Sequence, residues 1–329
     1  MRIVSLVPSA TEIVCLLGGH DHLVGRSHEC DFPRELSDRP VLTAQRTAAD
    51  FLQPQASAGV DEQVRAATAA GTPLYTLNAD LLRSLQPDLI ITQDLCGVCS
   101  IDLDSVRSVV DDLARAGSPA PAILSLNPAT LEDVLDDVLR VGGAIDAQKR
   151  AEREAVALRE RLYRAQEFVN PYEEGPVVGF LEWTDPLFVA GHWTVQMIER
   201  AGGRHPLNET IAREGAGAAA GLQQGARTAG PSIRVPPEIF AATRPAALVV
   251  APCGLNLEQT RAQFAALAEQ DWFKELPAAR AGRIALVDGN QHFNRPGPRL
   301  VDAFEWLVGW LQRRPALIPP AFPWERWNA

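Results

Sequence analysis

Short apolar runs alternate with longer amphipathic stretches along most of the chain. The runs at 2–8 (RIVSLVP), 87–93 (PDLIITQ) and 245–252 (PAALVVAP) have the length and the adjacent prolines typical of buried strands. The stretches at 60–71 (VDEQVRAATAAG) and 298–312 (PRLVDAFEWLVGWLQ) have helical periodicity instead. Strands and helices that alternate in this way predict an α/β fold with mostly parallel sheets and helices on both faces.

The alternation occurs in two blocks that a helical region separates. Residues 1–128 and 173–329 both alternate between strands and helices, and residues 129–172 are predominantly helical. Within that region, 146–169 is predicted to be one helix, about 35 Å long at 1.5 Å per residue. Its apolar positions do not keep the strict heptad repeat of a coiled coil, so we expect this helix to bridge two lobes rigidly.

Two segments show the same order of features, one in each block. LQPDLIITQDLCG (85–97) and TRPAALVVAPCG (243–254) each contain a helix end, a proline, an apolar strand and then a cysteine. This weak repeat predicts two lobes of similar topology.

Composition and charge narrow the range of partners. A net charge of −10 without a basic cluster argues against nucleic acid, whose binding requires concentrated lysine and arginine. No apolar stretch reaches the roughly 18 to 20 residues that span a bilayer, and the apolar run after Met1 is too short for a signal segment. We therefore expect a soluble cytoplasmic protein, without membrane insertion, whose five cysteines stay reduced unless a metal binds them.

Most of the cysteines follow predicted strands, namely Cys30, Cys96, Cys99 and Cys253. In open α/β sheets, ligands bind beyond the carboxyl ends of the strands, so these four side chains are expected to face the cleft between the lobes. Scattered buried thiols are the alternative, and Cys15, in an apolar helical stretch, fits that description. Four converging thiolates would complete the coordination shell of zinc or of an iron–sulfur cluster.

Two other kinds of site are also compatible with these loops, a thiol redox pair and an axial histidine ligand to a metal. Cys96 and Cys99 form a C-x-x-C pair, which occurs in thiol redox enzymes as well. His28, two residues before Cys30, and His292 lie in loops after predicted strands, and either imidazole suits an axial position on cobalt or iron. A loop histidine is more often a solvated polar group, and the spacing does not choose among zinc, a cluster and a metal chelate.

Trp183 and Trp193 are the candidate aromatic contacts for a flat macrocycle, because large rings bind such ligands by stacking. The polar neighbours of Trp183, Glu182 and Asp185, favour the rim of a site, whereas Trp193 suits a core position equally well. No nucleophile elbow, phosphate-binding loop or paired-carboxylate motif occurs in the sequence. The residues therefore favour a binding protein over an enzyme.

Four motifs together resemble one family. SLVPSATEIVCLLG (5–18), PDLIIT (87–92), RIALVDG (283–289) and RPGPRLVDAFEWL (295–307) resemble the class III substrate-binding proteins of ABC importers, the helical backbone metal receptors. The opening VPSATEI is typical of the cobalamin-binding branch, and the resemblance covers nearly the whole chain. It implies two Rossmann-like lobes, one rigid helix between them, and a metal chelate such as cobalamin or an iron siderophore held in the cleft with little hinge motion.

The resemblance also implies that the loops with Arg46 and Arg295 lie near the cleft, where a guanidinium suits a carboxylate, phosphate or amide arm of the ligand. A solvated surface arginine is the alternative at both positions. Together with the cysteines, these features predict a cytoplasmic binding protein for a corrinoid, another metal chelate, an iron–sulfur cluster or a Cys-bound metal. A thiol redox enzyme and the substrate-binding component of a cobalamin or siderophore ABC importer are the alternatives.

The four-thiolate hypothesis predicts that replacing Cys96 or Cys253 by serine removes bound metal or cluster, because a hydroxyl replaces a thiolate ligand poorly. The melting temperature should fall as well, since metal that binds only the native state stabilises it. Elemental analysis and the visible spectrum of protein purified without oxygen measure the first effect, and thermal unfolding measures the second. Cys15→Ser is the control, and equal metal contents in all three variants would contradict the hypothesis.

Overall fold

The computed structural model describes residues 1–46, 49, 52–53, 56–94, 103–115, 119–215 and 226–327. The chain forms two compact units, each made of several segments. The N-terminal unit contains residues 1–48, 62–128 and 133–157, and the C-terminal unit contains residues 49–61, 129–132 and 158–329. The lobe limits expected from the sequence, at 128 and 173, stay a prediction.

Strands and helices alternate through the described residues. The strands are β1 Ile3–Ser5, β2 Leu23–Arg26, β3 Thr43–Gln45, β4 Tyr75–Leu77, β5 Leu89–Thr92, β6 Ala122–Ser125, β7 Val178–Thr184, β8 Leu187–Val189, β9 Ile211–Ala212, β10 Arg227–Thr228, β11 Ile233–Arg234, β12 Ala247–Val250, β13 Ile284–Val287 and β14 Trp324–Arg326. The helices are α1 Pro8–Leu16, α2 Ala56–Ala69, α3 Ala79–Leu85, α4 Leu103–Arg115, α5 Leu131–Ala144, α6 Gln148–Gln166, α7 His192–Arg200, α8 Pro237–Ala242, α9 Leu257–Ala268, α10 Asp271–Lys274, α11 Pro277–Arg280 and α12 Leu300–Leu311. None of these described helices is long and apolar enough to cross a membrane.

The N-terminal unit is built on a parallel four-stranded sheet in the order β2-β1-β5-β6. All four residues of β5 are buried, which explains its continuous apolar sequence. On α4, Val106, Val109 and Val110 join the same core as Val4 and Ile90 of the sheet. Their spacing of three and four residues places the three valines on one face of the helix.

β3 and β4 form a separate antiparallel ladder of two strands. β4 follows the alternation of strand and helix in the sequence, yet it does not join the parallel sheet. All three of its residues are only partly buried. A strand that water reaches on one side suits an antiparallel ladder, whereas the strands of a parallel sheet are covered on both faces.

The C-terminal unit contains a six-stranded sheet in the order β11-β8-β7-β12-β13-β14. The central strands β7, β12 and β13 are parallel, and antiparallel strands complete both sides. Its core includes Phe240, Phe264 and Phe273 from helices and Leu248 and Leu286 from the sheet. β5 and β12, which come from the two similar sequence segments, each pair with parallel strands on both sides. The predicted α/β fold is confirmed, and parallel strands form the centre of both main sheets.

The long helix expected from the sequence is present as α6, which runs without a break from Gln148 to Gln166. The division between the two units falls inside it, after residue 157. In the C-terminal unit, Arg161 Nη2 donates to Asp302 Oδ1 at 2.5 Å and its Nε donates to Glu305 Oε1 at 3.0 Å. These bonds fix the second half of α6 to α12. The role of α6 as a rigid bridge stays a prediction.

Arg200, on α7, is a fully buried cation in the C-terminal unit. Its Nη1 donates to Glu132 Oε1 at 3.0 Å, and its Nε and Nη2 donate to Gln166 Oε1 at 3.2 and 3.1 Å. The guanidinium carbon also lies 5.7 Å from the ring centroid of Tyr163 and 5.9 Å from that of Phe304. One buried charge therefore holds the start of α5, the end of α6 and α12 against α7.

Replacing Arg200 by methionine is expected to lower the free energy of unfolding by about 2–3 kcal/mol, because Glu132 and Gln166 each lose the hydrogen bonds that Arg200 donates while they remain largely covered. The matched control is Arg204→Met, since the Arg204 side chain is 41% exposed and pairs with Glu174 at 2.5 Å. Exposed pairs of this kind contribute at most about 1 kcal/mol. Denaturant unfolding measures both values, and an equal loss in the two variants would contradict a stabilising role for the buried cation.

Candidate functional site

Polar side chains cluster at the carboxyl ends of the strands in the N-terminal unit. Cys30, in the loop after β2, is buried, and its Sγ lies 3.0 Å from Oγ1 of Thr11 on α1. The Thr11 hydroxyl donates to Ser5 Oγ at 2.8 Å, so its single proton is already used and Cys30 acts as the donor. The structure thus places this predicted ligand at the expected sheet edge, as a hydrogen-bonded thiol.

His28 lies in the same loop, with one ring nitrogen bonded and the other without a partner. Its Nδ1 lies 2.7 Å from Thr43 Oγ1, and its ring centroid lies 5.5 Å from that of Tyr75. Nε2 is buried and has no hydrogen-bond partner among the described residues. Burial lowers the pKa of the His28 imidazole, so the ring is neutral at pH 7.

The remaining predicted positions of this unit are Cys96, Cys99 and Arg46. Cys96 and Cys99 lie outside the described residues, so their part in a metal or redox site stays a prediction. Asp94, just before them, donates its N–H to Asn127 Oδ1 at 2.7 Å, which joins the ends of β5 and β6. Arg46 follows β3 and is exposed, and its contact with a ligand stays a prediction.

In the C-terminal unit, the carboxyl ends of β7, β12 and β13 lead into loops that pack against one another. The N–H of Cys253 donates to the carbonyl oxygen of Glu182 at 3.1 Å, which joins the loop after β12 to β7. A Cβ atom at Gly289 would lie 2.1 Å from the carbonyl oxygen of Pro252, so the loop after β13 approaches as closely as only glycine allows. Cys253 itself is exposed at this edge.

The loop after β13 contains two further predicted ligand contacts, His292 and Arg295. Both side chains are buried, and the His292 ring centroid lies 4.5 Å from that of Phe322. Burial, followed by the charges of Arg299 and Arg295, lowers the pKa of His292 to about 3. Arg295 Nη2 donates to Asn290 Oδ1 at 2.9 Å. His292 is therefore a neutral imidazole beside two guanidinium groups.

The two candidate tryptophans differ in exposure. Trp183, in β7, is partly buried, and its Nε1 donates to the carbonyl oxygen of Ser57 at 3.1 Å. The hydroxyl of Ser57 donates to Gln263 Oε1 at 3.0 Å. Trp193 is buried in α7, where its Nε1 donates to the carbonyl oxygen of Phe293 at 2.6 Å. Trp183 keeps ring surface for a ligand, whereas Trp193 fixes the loop after β13.

Glu182 and His192 are two residues at this site that the sequence analysis did not select. Glu182 accepts hydrogen bonds from the Ser232 hydroxyl and, at 3.3 Å, from the N–H of Gly191. Burial raises the pKa of its carboxyl to about 7, although both hydrogen bonds act to lower it. His192 begins α7 with a positive φ of 47° and stacks on Trp193, with ring centroids 5.6 Å apart. In the sequence, Glu182 could have been found as a carboxylate within an apolar strand. No feature of similar strength in the sequence indicates His192.

The described ranges contain no group of three His, Cys, Asp or Glu side chains placed to hold a metal ion. The predicted four-thiolate set includes Cys96 and Cys99, which lie outside those ranges. Zinc, an iron–sulfur cluster and a thiol redox pair therefore stay predictions.

Comparison with known proteins identifies the family. The chain matches the sequence profile named periplasmic binding protein over residues 3–290 and belongs to that family, as the four motifs indicated. A search of curated protein sequences finds no significant match.

Solved structures share the fold along almost the whole chain. A periplasmic heme binding protein from Pseudomonas aeruginosa is 23% identical, with a TM-score of 0.65, and the alignment covers 95% of this chain and 93% of that one. The periplasmic heme-binding protein RhuT from Roseiflexus sp. RS-1 is also 23% identical, with a TM-score of 0.64 and coverage of 95% and 98%. The periplasmic vitamin B12 binding protein BtuF of Vibrio cholerae is 19% identical, with a TM-score of 0.61 and coverage of 95% and 98%.

The raised pKa of Glu182 predicts that stability depends on pH. A carboxyl whose pKa rises from 4.5 to about 7 on folding stabilises the folded protein in its protonated form, and this contribution is complete below pH 4.5 and lost as the pH rises through about 7. Relative to Glu182→Gln, which does not titrate, the free energy of unfolding should therefore fall by at most about 3 kcal/mol across that range. The exposed Glu238→Gln is the control, and parallel pH profiles for Glu182→Gln and the unchanged protein would contradict the prediction.

Proposed function

We propose that this protein is the substrate-binding component of an ABC importer and that its ligand is a metal chelate such as haem or cobalamin. The observation that carries the proposal is the family match over residues 3–290. It is supported by a fold shared along 95% of the chain with proteins described as binding heme or vitamin B12. Because a fold alone does not specify a ligand, the side chains at the strand ends supply the chemical support.

Those side chains suit a large, flat chelate. In the C-terminal unit, Trp183 presents a partly exposed aromatic ring, and Arg295 places a guanidinium in the loop after β13. In the N-terminal unit, His28 has a neutral imidazole with one unpartnered nitrogen. Iron and cobalt both accept nitrogen ligands, so the orphaned nitrogen of His28 fits the metal of either chelate.

The cellular location of the protein distinguishes two hypotheses, a role in import and the binding of a chelate inside the cell. The cytoplasmic location expected from the sequence stays a prediction, and it is compatible with binding a chelate but not with delivering one to an importer from outside. Fractionation of the cells in which the protein naturally occurs, with cytoplasmic and exported marker proteins, decides between the two. Recovery with the exported markers supports the importer role, and recovery with the cytoplasmic markers overturns it.

Purified protein is expected to bind hemin or hydroxocobalamin with a Kd of about 1 μM or lower, measured by absorption titration. Trp183→Ala should weaken that binding by about 5- to 150-fold, because one lost aromatic contact costs on the order of 1–3 kcal/mol. Trp183→Phe keeps a stacking ring and should lose less, which separates stacking from a general loss of structure. Failure of the unchanged protein to bind either probe would overturn the proposed ligand class.

A further inference from the structure

We propose that Nε2 of His28 is the protein ligand to the metal ion of the bound chelate. The assignment depends on the proposed function and adds to it the atom that coordinates the metal. It is carried by the hydrogen bonds that fix the proton of the imidazole, by the buried and unpartnered state of Nε2, and by the position of the loop after β2.

The hydrogen bonds around Thr43 decide which ring nitrogen of His28 carries the proton. The Thr43 hydroxyl donates its only proton to Ser27 Oγ at 3.0 Å. It must then accept at its other contacts, from the His28 N–H at 3.1 Å and from Nδ1 at 2.7 Å. Nδ1 is therefore protonated, and in the neutral ring Nε2 carries a free lone pair. Metal-binding histidines have this arrangement, with the other nitrogen held by a fixed acceptor.

Ser27 completes the chain of hydrogen bonds behind His28. Its Oγ accepts the proton of Thr43 and also accepts the backbone N–H of Glu29 at 3.3 Å. Ser27 and Thr43 are both buried, so bulk water does not compete for these bonds. These hydrogen bonds thus fix the orientation of the imidazole through Nδ1 and leave Nε2 outside the network.

Three imidazole nitrogens of the described residues are buried without a partner, and only one suits a metal. They are Nε2 of His28, Nε2 of His205 and Nδ1 of His292. His205 bonds through Nδ1 to the carbonyl oxygen of Val178, the first residue of β7, and so lies at the end of the strand opposite the loops that bind ligands. His292 lies at the correct edge, but the charges of Arg299 and Arg295 act on it and oppose a metal cation.

Among the described residues, no arginine or lysine acts on the His28 ring as Arg299 and Arg295 act on that of His292. The ring of Tyr75 lies against that of His28, tilted by 42° at a centroid distance of 5.5 Å, and the Tyr75 hydroxyl donates to Glu29 Oε1 at 3.2 Å. Nε2 is covered in the structure, so ligation of a metal requires a local rearrangement that uncovers this nitrogen.

The test uses hemin and hydroxocobalamin with the full chain. The unchanged protein should bind at least one probe and change its absorption spectrum, and with hemin the EPR spectrum should be that of a nitrogen-ligated ferric ion. His28→Ala should lose that signature and bind at least about tenfold more weakly, and added imidazole should restore the spectrum. Thr43→Val keeps the shape of the side chain but removes the acceptor for Nδ1, so it should weaken binding by about tenfold.

Two further measurements keep the outcomes distinct. His20→Ala is the matched control, because His20 is an exposed histidine of the same unit that pairs with Asp21, and it should leave both affinity and spectrum unchanged. His28→Gln, checked by thermal unfolding, replaces His28→Ala if the smaller side chain prevents folding. Tight binding by His28→Ala with an unchanged spectrum overturns the ligand assignment and leaves the proposed function intact. Failure of the unchanged protein to bind either probe overturns the proposed function and the ligand assignment with it.

Discussion

Parallel pairing of strands is the constraint on which the candidate site depends. A parallel pair needs a crossover connection, so all the strands of a parallel set end at the same edge of the sheet. In the N-terminal unit this edge receives the loop with His28 and Cys30, and in the C-terminal unit it receives the loops with Cys253 and His292. Short buried strands therefore decide where the polar residues lie, before any contact among those residues forms.

Desolvation sets the charge of the residues at these edges. Burial is the largest cause of the pKa shift at His28, at Glu182 and at His292, and in each case it favours the neutral form. A neutral imidazole has a free lone pair, and a neutral carboxyl can donate a proton. The residues at these edges can therefore form hydrogen bonds although they carry little net charge. Neighbouring charges then make residues of the same type differ in electrostatic environment. His292 has two guanidinium groups beside it, which lower its pKa further, whereas burial is the cause of the shift at His28.

Features with a local sequence signal could be predicted, and features that depend on distant contacts could not. The helix α6 and the strands β5 and β12 follow from periodicity and composition over a few residues, and so does the α/β fold. By contrast, Trp183 bonds to a residue 126 positions away and Trp193 to one 100 positions away. The polar neighbours of Trp183 already favoured the rim, whereas only the distant partner of Trp193 decides that its ring lies in the core. The same limit applies to the cysteines, since Cys30 is buried and Cys253 exposed after comparable strands.

Neither unit can be obtained as one continuous fragment, because the segments 49–61 and 129–132 belong to the C-terminal unit. A fragment that begins at residue 158 would lack Ser57, whose bonds hold Gln263 and Trp183, and would lack Glu132, which neutralises the buried Arg200. The same interleaving restricts recombination between relatives. A single genetic crossover that exchanged one unit would separate these partners, so new ligand specificities in such a chain are expected to arise by substitution within loops rather than by exchange of whole lobes.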